Sequence, residues 1–401
     1  MPLRPPAGFI SAFFDPLKNP NAPTIGTATG GNATASVAFT APANVGGSAI
    51  TAYYAVSNPD QITTSGTSSP ITATGLVNNT AYTFNVWALN SYGPGVWSAA
   101  SNSVTPSVPT RALFAGGGQP RINNITYITV ETTGNTTDFG ILQDTNFQLM
   151  SCASTTRGIF AGGNANNGQT NAIRYVTIAT TGNTTVFGAL GNNNVIAAGA
   201  VANSTRGVFT GGKQAASFLS AMTYITIATT GDSTTFGNLS TTTAFCASCS
   251  SPTRGVIGGG ENGSRLSSIS YITIATTGNS TSFGNLLDLY SVIAGCSSST
   301  RGVFGGGQTT ALGTVNTIQY ITIASTGNST TFGDLINPTN AMSGTSSNVR
   351  GVFSGGYVSG LYSNQISYVT IASTGNAASF GQLAVEVADN TATSNNSGGL
   401  Q

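Results

Sequence analysis

Six arginines recur along this chain at a nearly constant interval. They are Arg111, Arg157, Arg206, Arg254, Arg301 and Arg350, separated by 46, 49, 48, 47 and 49 residues. A period near 48 residues, written six times, is the signature of a propeller or a solenoid. One such unit is too small to bury its apolar face alone, so neighbouring units must stack. Each unit carries four phrases. In one copy they read "AGCSSS" at 294–299, "RGVFGGG" at 301–307, "IQYITIAS" at 318–325 and "TTFGDL" at 330–335.

The second and third phrases are rich in Val, Ile, Phe, Thr and Tyr, which favour strands. Four short antiparallel strands per unit make a propeller blade. Gly327-Asn328 joins the third phrase to the fourth, and Gly with Asn or Asp recurs there in each unit. This pairing predicts a tight hairpin with positive φ angles. The small-residue phrase suits an innermost strand, where neighbouring blades crowd together. Cys152, Cys249 and Cys296 each lie five residues before a repeat arginine, as do Val201 and Thr345, and read as small buried hydrophobes. Cys246 and Cys249 form a CxxC, but a zinc site would normally bring a second pair or histidines.

The ends of the array are offset. It begins with a second strand, "RALFAGGG" at 111–118, and finishes with a small-residue stretch, "NTATSNNSGG" at 390–399. The final stretch is therefore expected to supply the first blade's inner strand and to close a ring of six blades.

These residues resemble kelch-type propellers. Gly306-Gly307, Tyr320, Gly327-Asn328 and Phe332 take the places of that family's double glycine, tyrosine, turn and aromatic, with Phe for the usual Trp. The Asp that often follows the Tyr is absent. The resemblance covers about 290 of 401 residues and implies a six-bladed β-propeller over 108–401.

Residues 23–107 lack the repeat. "ASVAFTAP", "ITAYYAVS" and "TAYTFNVWALN" alternate apolar and polar residues between turn clusters, which predicts about seven strands in a sandwich. The stretch "GLVNNTAYTFNVWALNSYG" at 75–93 resembles the fibronectin type III pattern, with Leu76 and Tyr82 as its tyrosine-corner pair and Phe39 in place of the usual Trp. "TPSVPT" at 105–110 reads as a short stiff linker. The expected fold is thus all-β: a docking segment at 1–22, a sandwich at 23–107 and a propeller at 108–401.

Composition narrows the function. The chain has 12 Lys and Arg, 11 Asp and Glu, and no His. A net charge of +1 offers no field for phosphates, so nucleic-acid binding is not expected. The lack of His removes the commonest general base and transition-metal ligand. No cofactor or metal is expected. No segment approaches the roughly 20 apolar residues of a membrane helix, and the opening "MPLRPPAGFISAFFDPLKNP" has no signal-peptide core. A glycosidase needs paired carboxylates. Here Asp138, Asp144, Asp232, Asp288 and Asp334 are scattered, mostly at expected turns of different blades.

The chain also resembles structural proteins of tailed phages that infect marine bacteria, especially cyanobacteria. "YITIATTGNSTSFGNL", "TRGVFGGG", "GFISAFFDP" and "FTAPANVGGSAIT" carry that likeness. It implies a non-enzymatic virion protein, assembled in the host cytoplasm and exposed on the particle. Its partners would be other virion proteins and a host-surface glycan or protein. A capsid decoration without a receptor is the alternative, and a glycan-active enzyme a more distant one. Phe9, Ile10, Phe13 and Phe14 are candidates for docking on the virion, although they would equally pack on the sandwich. Phe218, Arg265, Tyr357 and Tyr362, in the variable loops between second and third strands, are candidates for surface binding. Covering blade edges is the other role open to those aromatics. The six repeat arginines are expected to be structural, bonded to backbone carbonyls or neighbouring-blade side chains, with an anion-binding ring as the rival role.

Overall fold

A computed structural model describes residues 17–118, 120–191 and 194–400. Phe9, Ile10, Phe13 and Phe14 lie outside the described residues. The described chain is all-β, with many small antiparallel sheets and a single 3-10 turn at Gly398–Leu400. It divides into two compact units, one ending at Pro109 and one starting at Thr110.

In the first unit, Thr24–Gly31, Thr34–Thr40 and Ile71–Thr74 form a three-stranded sheet in that order. A four-stranded sheet runs Thr63–Gly66, Ile50–Asn58, Thr83–Asn90, Gly93–Pro94. Period-two alternation places Val37 and Phe39 from one sheet and Tyr53, Ala55, Phe84 and Val86 from the other in one core. Tyr82 is fully buried, and its hydroxyl must therefore find partners. It accepts the Val77 N–H at 3.1 Å and donates to Asp60 at 2.7 Å. The Asp60 hydrogen bond, ahead of burial, holds the Tyr82 phenol above its ordinary pKa. Residues 18–21, expected within a separate docking segment, are bonded into this unit: the Lys18 N–H donates to Gly46 at 3.0 Å and the Asn21 N–H to Asn44 at 3.1 Å.

Among the described residues of the second unit, six antiparallel sheets are each built on one copy of the repeat, beside three smaller hairpin sheets. One consists of Ala294–Ser297, Arg301–Gly305, Thr317–Thr322 and Thr330–Asp334, side by side in that order. The sheet holding Arg111–Gly118 takes its first strand from the far end of the sequence, where Thr391–Ser394 pairs with it from Thr391 opposite Ala115 to Ser394 opposite Ala112. The first strands lie beside one another in sequence order, and Thr391–Ser394 also neighbours Met150–Ala153.

Small residues in the first strands do more than fit. Their hydroxyls bond adjacent first strands: the Ser250 N–H donates to Ser297 Oγ at 3.0 Å, and Ser297 Oγ donates to the Ser250 carbonyl at 2.9 Å. The glycine that follows five of the six repeat arginines (Ala112 follows Arg111) makes room for the preceding sheet. A Cβ on Gly302 would collide with Cys249 Sγ, and one on Gly351 would come within 2.5 Å of Cys296 Sγ. All four cysteines are free thiols, and burial pushes Cys152, Cys246 and Cys296 up to about 12.

The Gly-Asn pairs depart from expectation. The turn after the third strand closes earlier, where the Thr229 N–H reaches the Thr226 carbonyl at 3.2 Å. None of the Asn or Asp residues of these pairs has a positive φ. Their side chains instead cap the neighbouring sheet: Asn279 Oδ1 accepts the Asn238 N–H at 2.9 Å, and Asn328 Oδ1 accepts the Asn285 N–H at 3.0 Å. A local hairpin signal was in fact a long-range stitch, because an unpaired edge-strand N–H needs an acceptor. Left-handed backbone falls elsewhere, on the double glycine, where Gly306 and Gly307 have φ of 60° and 93°. Asp138 and Asp334 lie within fourth strands rather than turns.

Candidate functional site

Short hairpins join second to third strands in the second unit. Lys213–Gln214 pairs with Ser217–Phe218, Gln308–Thr309 with Gly313–Thr314, and Tyr357–Val358 with Leu361–Tyr362. Each is braced by the stretch before a first strand, as in Ile196 opposite Lys213 and Asn340 opposite Tyr357. Short strands, glycine turns and these bridges hold the hairpins while leaving their tips free to differ.

Phe218, Tyr357 and Tyr362 fall on two of these hairpins, and Arg265 lies in the corresponding connection of another repeat, where it bridges to Glu261. All are half-buried. Lys213 Nζ stands 5.0 Å above the Phe218 ring. The rings of Tyr357 and Tyr362 lie 4.5 Å apart, and the Tyr357 hydroxyl donates to that of Tyr362, which pushes the Tyr357 phenol up to about 12. Arg265 donates from Nε to Ser291 Oγ at 3.1 Å and from Nη2 to Gln308 Oε1 at 3.0 Å. Phe218, Tyr357 and Tyr362 are thus held within their own hairpins, whereas Arg265 ties its connection to the hairpin of the next repeat. Two hairpin-tip residues that sequence reasoning passed over, Leu312 and Leu361, are 76% and 72% exposed. Their apolar character in a polar loop was the available signal.

Beside the hairpins lies a second feature that sequence reasoning missed. Gln148, Ala197, Phe245, Val292, Ala341 and Asp389 occupy equivalent places just before the six first strands, and all have φ between 54° and 57°. Such backbone is uncommon without glycine. Here it is held by a cycle of hydrogen bonds. The N–H groups of Ala197, Phe245, Val292, Ala341 and Asp389 each donate to the carbonyl of the residue before in this series, at 2.8–3.2 Å. Gln148 donates to Asp389 at 2.9 Å and completes the cycle. These six residues and their successors, among them Cys246, Ile293, Met342 and Asn390, line a depression of about 480 Å³, including the space open to solvent. A common 48-residue spacing was the signal, masked because the side chains differ.

Asp389 is the carboxylate in that lining. Burial pushes it up to about 6, and the neighbouring Gln148 side chain opposes the rise. Asn390 beside it is buried, and its Nδ2 donates to Ser343 Oγ at 3.0 Å. Its Oδ1 is buried with no hydrogen-bond partner among the described residues.

The repeat arginines belong to the frame rather than to the hairpins. Arg254 Nη1 donates to the Ile323 and Ala324 carbonyls of the next sheet at 2.7 and 3.0 Å, while its guanidinium lies 4.2 Å from the Tyr271 ring centre. Arg111, Arg157 and Arg206 make the same pair of bonds to Ile178 and Ala179, to Ile227 and Ala228, and to Ile274 and Ala275. Arg301 reaches Ile371, and Arg350 returns to Val130 and Glu131 of the first sheet. Each tyrosine under an arginine meets the edge of the repeat phenylalanine, with ring centres 5.9–6.1 Å apart. Stacking over an aromatic and forking to two carbonyls uses what distinguishes Arg from Lys.

No protein-family model and no curated protein sequence matches the chain.

Proposed function

We propose that the protein is a non-enzymatic structural protein of a tailed-phage virion whose second unit contacts a host-cell surface. On this reading residues 108–401 are a six-bladed kelch-like propeller, and 23–107 are a fibronectin type III-like sandwich. The cyclic order of the inter-sheet bonds, with Arg350 returning to the first sheet, supports the propeller. The two sheet orders and the Tyr82 hydroxyl on the Val77 amide support the sandwich.

One observation carries the binding role. Across the six repeats the frame residues are held almost constant, while the hairpin between second and third strands changes every time: "KQAASFLSAM" at 213–222, "ENGSRLSS" at 261–268 and "YVSGLYSNQ" at 357–365. A rigid frame presenting variable loops is the arrangement by which proteins recognise partners. Phe218, Tyr357 and Tyr362 would stack on sugar rings or apolar side chains there, and Arg265 would position its hairpin. The segment around Phe9, Ile10, Phe13 and Phe14 would anchor the protein to another virion component.

The test is mass spectrometry of purified particles with copy number, together with adsorption of the isolated second unit to host cells. A few to a few tens of copies and saturable adsorption are the expected results. Absence from particles would overturn the virion role. Presence in hundreds of copies without adsorption would replace surface binding by capsid decoration.

A further inference from the structure

The two tryptophans of the chain lie together on the outside of the first unit. In its four-stranded sheet Tyr53, Ala55, Phe84 and Val86 face the core, so the residues between them face away from it. Register sets Tyr54 directly opposite Trp87 on one side and Ser65, in the edge strand Thr63–Gly66, on the other. The Tyr54 and Trp87 rings stack with centres 4.2 Å apart and planes 9° apart. Trp97 extends the row. The Ser98 N–H donates to the Val86 carbonyl at 2.8 Å and lays this stretch along the strand Thr83–Asn90, and the Trp97 ring meets Trp87 edge-on with centres 6.1 Å apart. A cross-strand aromatic pair supports a sheet, and that role accounts for Tyr54 on Trp87. It does not account for Trp97, which is 51% exposed beside Val96 at 64%. Contiguous apolar surface left in water marks a contact site.

Charge narrows the occupant. Residues 17–109 carry two charged side chains, Lys18 and Asp60, and Asp60 is engaged by the Tyr82 hydroxyl. Neither belongs to the strands of the row. The face therefore has no cation for the phosphates of a nucleic acid whose bases would stack there. It offers flat rings next to small uncharged hydrogen-bonding groups. Ser65 stands beside Tyr54, and Asn85 lies two residues from Trp87 on the same face, its amide fixed by a bond from Nδ2 to the Ser98 carbonyl at 3.0 Å. A pyranose has the matching surface: a face of C–H groups that packs on the negative face of an aromatic ring, and a rim of hydroxyls.

We infer that this row binds a neutral oligosaccharide, laid across the sheet from Tyr54 to Trp97 with its hydroxyls bonded to Ser65 and Asn85. The inference stands on the first unit alone. It rests neither on the virion reading nor on the hairpins of the second unit.

The experiment is titration of the full chain with cellohexaose, maltohexaose and mannohexaose, followed by calorimetry and by tryptophan emission. Trp87 and Trp97 are the chain's only tryptophans, so a sugar on this row changes the emission, whereas one held by the second unit, which has none, does not. Expected are saturable binding of at least one hexaose with a matching change in emission, and the same affinity between about 50 and 500 mM salt, because no charge is involved. Trp97→Ala should weaken binding roughly tenfold, and Trp97→Phe, which keeps a ring, should recover part of the loss. Trp97 is exposed, so thermal melts of both variants should match the parent. Binding without a change in emission, unchanged binding in Trp97→Ala, or no binding of any hexaose would overturn the inference. So would self-association of the chain that Trp97→Ala abolishes, which would give the face to a second copy.

Discussion

The repeat arginine does three things at once in five of the six repeats, which is why its loss should be felt. Arg254 covers Tyr271 and satisfies two carbonyls of the next sheet. Arg254→Ala is expected to lower unfolding free energy by about 1–3 kcal/mol, through unpaired acceptors and a lost ring contact. Arg254→Lys should recover only part, because a compact ammonium cannot lie flat on the ring while forking to two oxygens. Urea denaturation of both variants checks this, and equal stabilities for Lys and Arg would show that charge alone matters. Asp389 allows a prediction of opposite sign. Its carboxyl is raised from 3.8 to about 6, so the folded state holds a proton that the unfolded state has released between those values. The ionised form is thus disfavoured in the fold, and stability from this group falls as pH rises through that window. Asp389→Asn should be more stable than the parent at pH 8 by on the order of 2 kcal/mol, and equal to it near pH 3.5. Denaturant titrations at the two pH values decide it.

At the scale of strands, the phrase "FG" in each fourth strand meets the Gly-Asn pair of the next sheet. The Gly278 N–H donates to the Phe236 carbonyl at 2.9 Å, and a Cβ on Gly237 would overlap the Gly278 carbonyl. Backbone, unlike a flexible side chain, cannot step aside. Gly237→Ala is therefore expected to cost about 1–3 kcal/mol through overpacking. Asn279→Ala removes only the acceptor of the Asn238 N–H, at an exposed site where water replaces it, and should cost about 1 kcal/mol or less. Thermal melts of the two variants test the ranking, and a larger loss for Asn279→Ala would place the tight contact at the cap. The same element shows how local reading misleads. Gly beside Asn is a sound hairpin signal. Nothing in the local sequence says that the asparagine's true partner lies some forty residues upstream.

For the whole second unit, the question is what happens when the last strand is removed. Thr391–Ser394 pairs with Arg111–Gly118, Ser394 Oγ donates to the Ser346 carbonyl, and Asn395 Oδ1 accepts the Arg111 N–H at 2.8 Å. Deleting 388–401 opens the amides of one strand and breaks the hydrogen-bond cycle at Asp389. An exposed flat edge invites pairing between molecules. The truncated chain should aggregate or unfold over a broad range, in contrast to a sharp transition for the parent. Unchanged, cooperative melting by calorimetry would show that the six sheets do not depend on that strand.

Much of this arrangement was legible beforehand because a repeat is its own alignment. The 48-residue spacing marked Arg301, Tyr320 and Phe332 as frame residues, and the small residues around Cys296 as an inner strand, without reference to any other protein. Alternation in "TAYTFNVWALN" similarly marked a sandwich strand, the one whose Phe84 and Val86 are buried. Those are short-range patterns, and short-range physics writes them: strand period, side-chain size and turn chemistry. The candidate site was not legible in the same way. Its six lining positions share a backbone conformation and a hydrogen-bond cycle but no residue type, running from Gln148 through Phe245 to Asp389. Their equivalence is one of place. Only when six distant segments are brought around one centre do these residues line a common depression, and burial there, not residue identity, raises the pKa of Asp389.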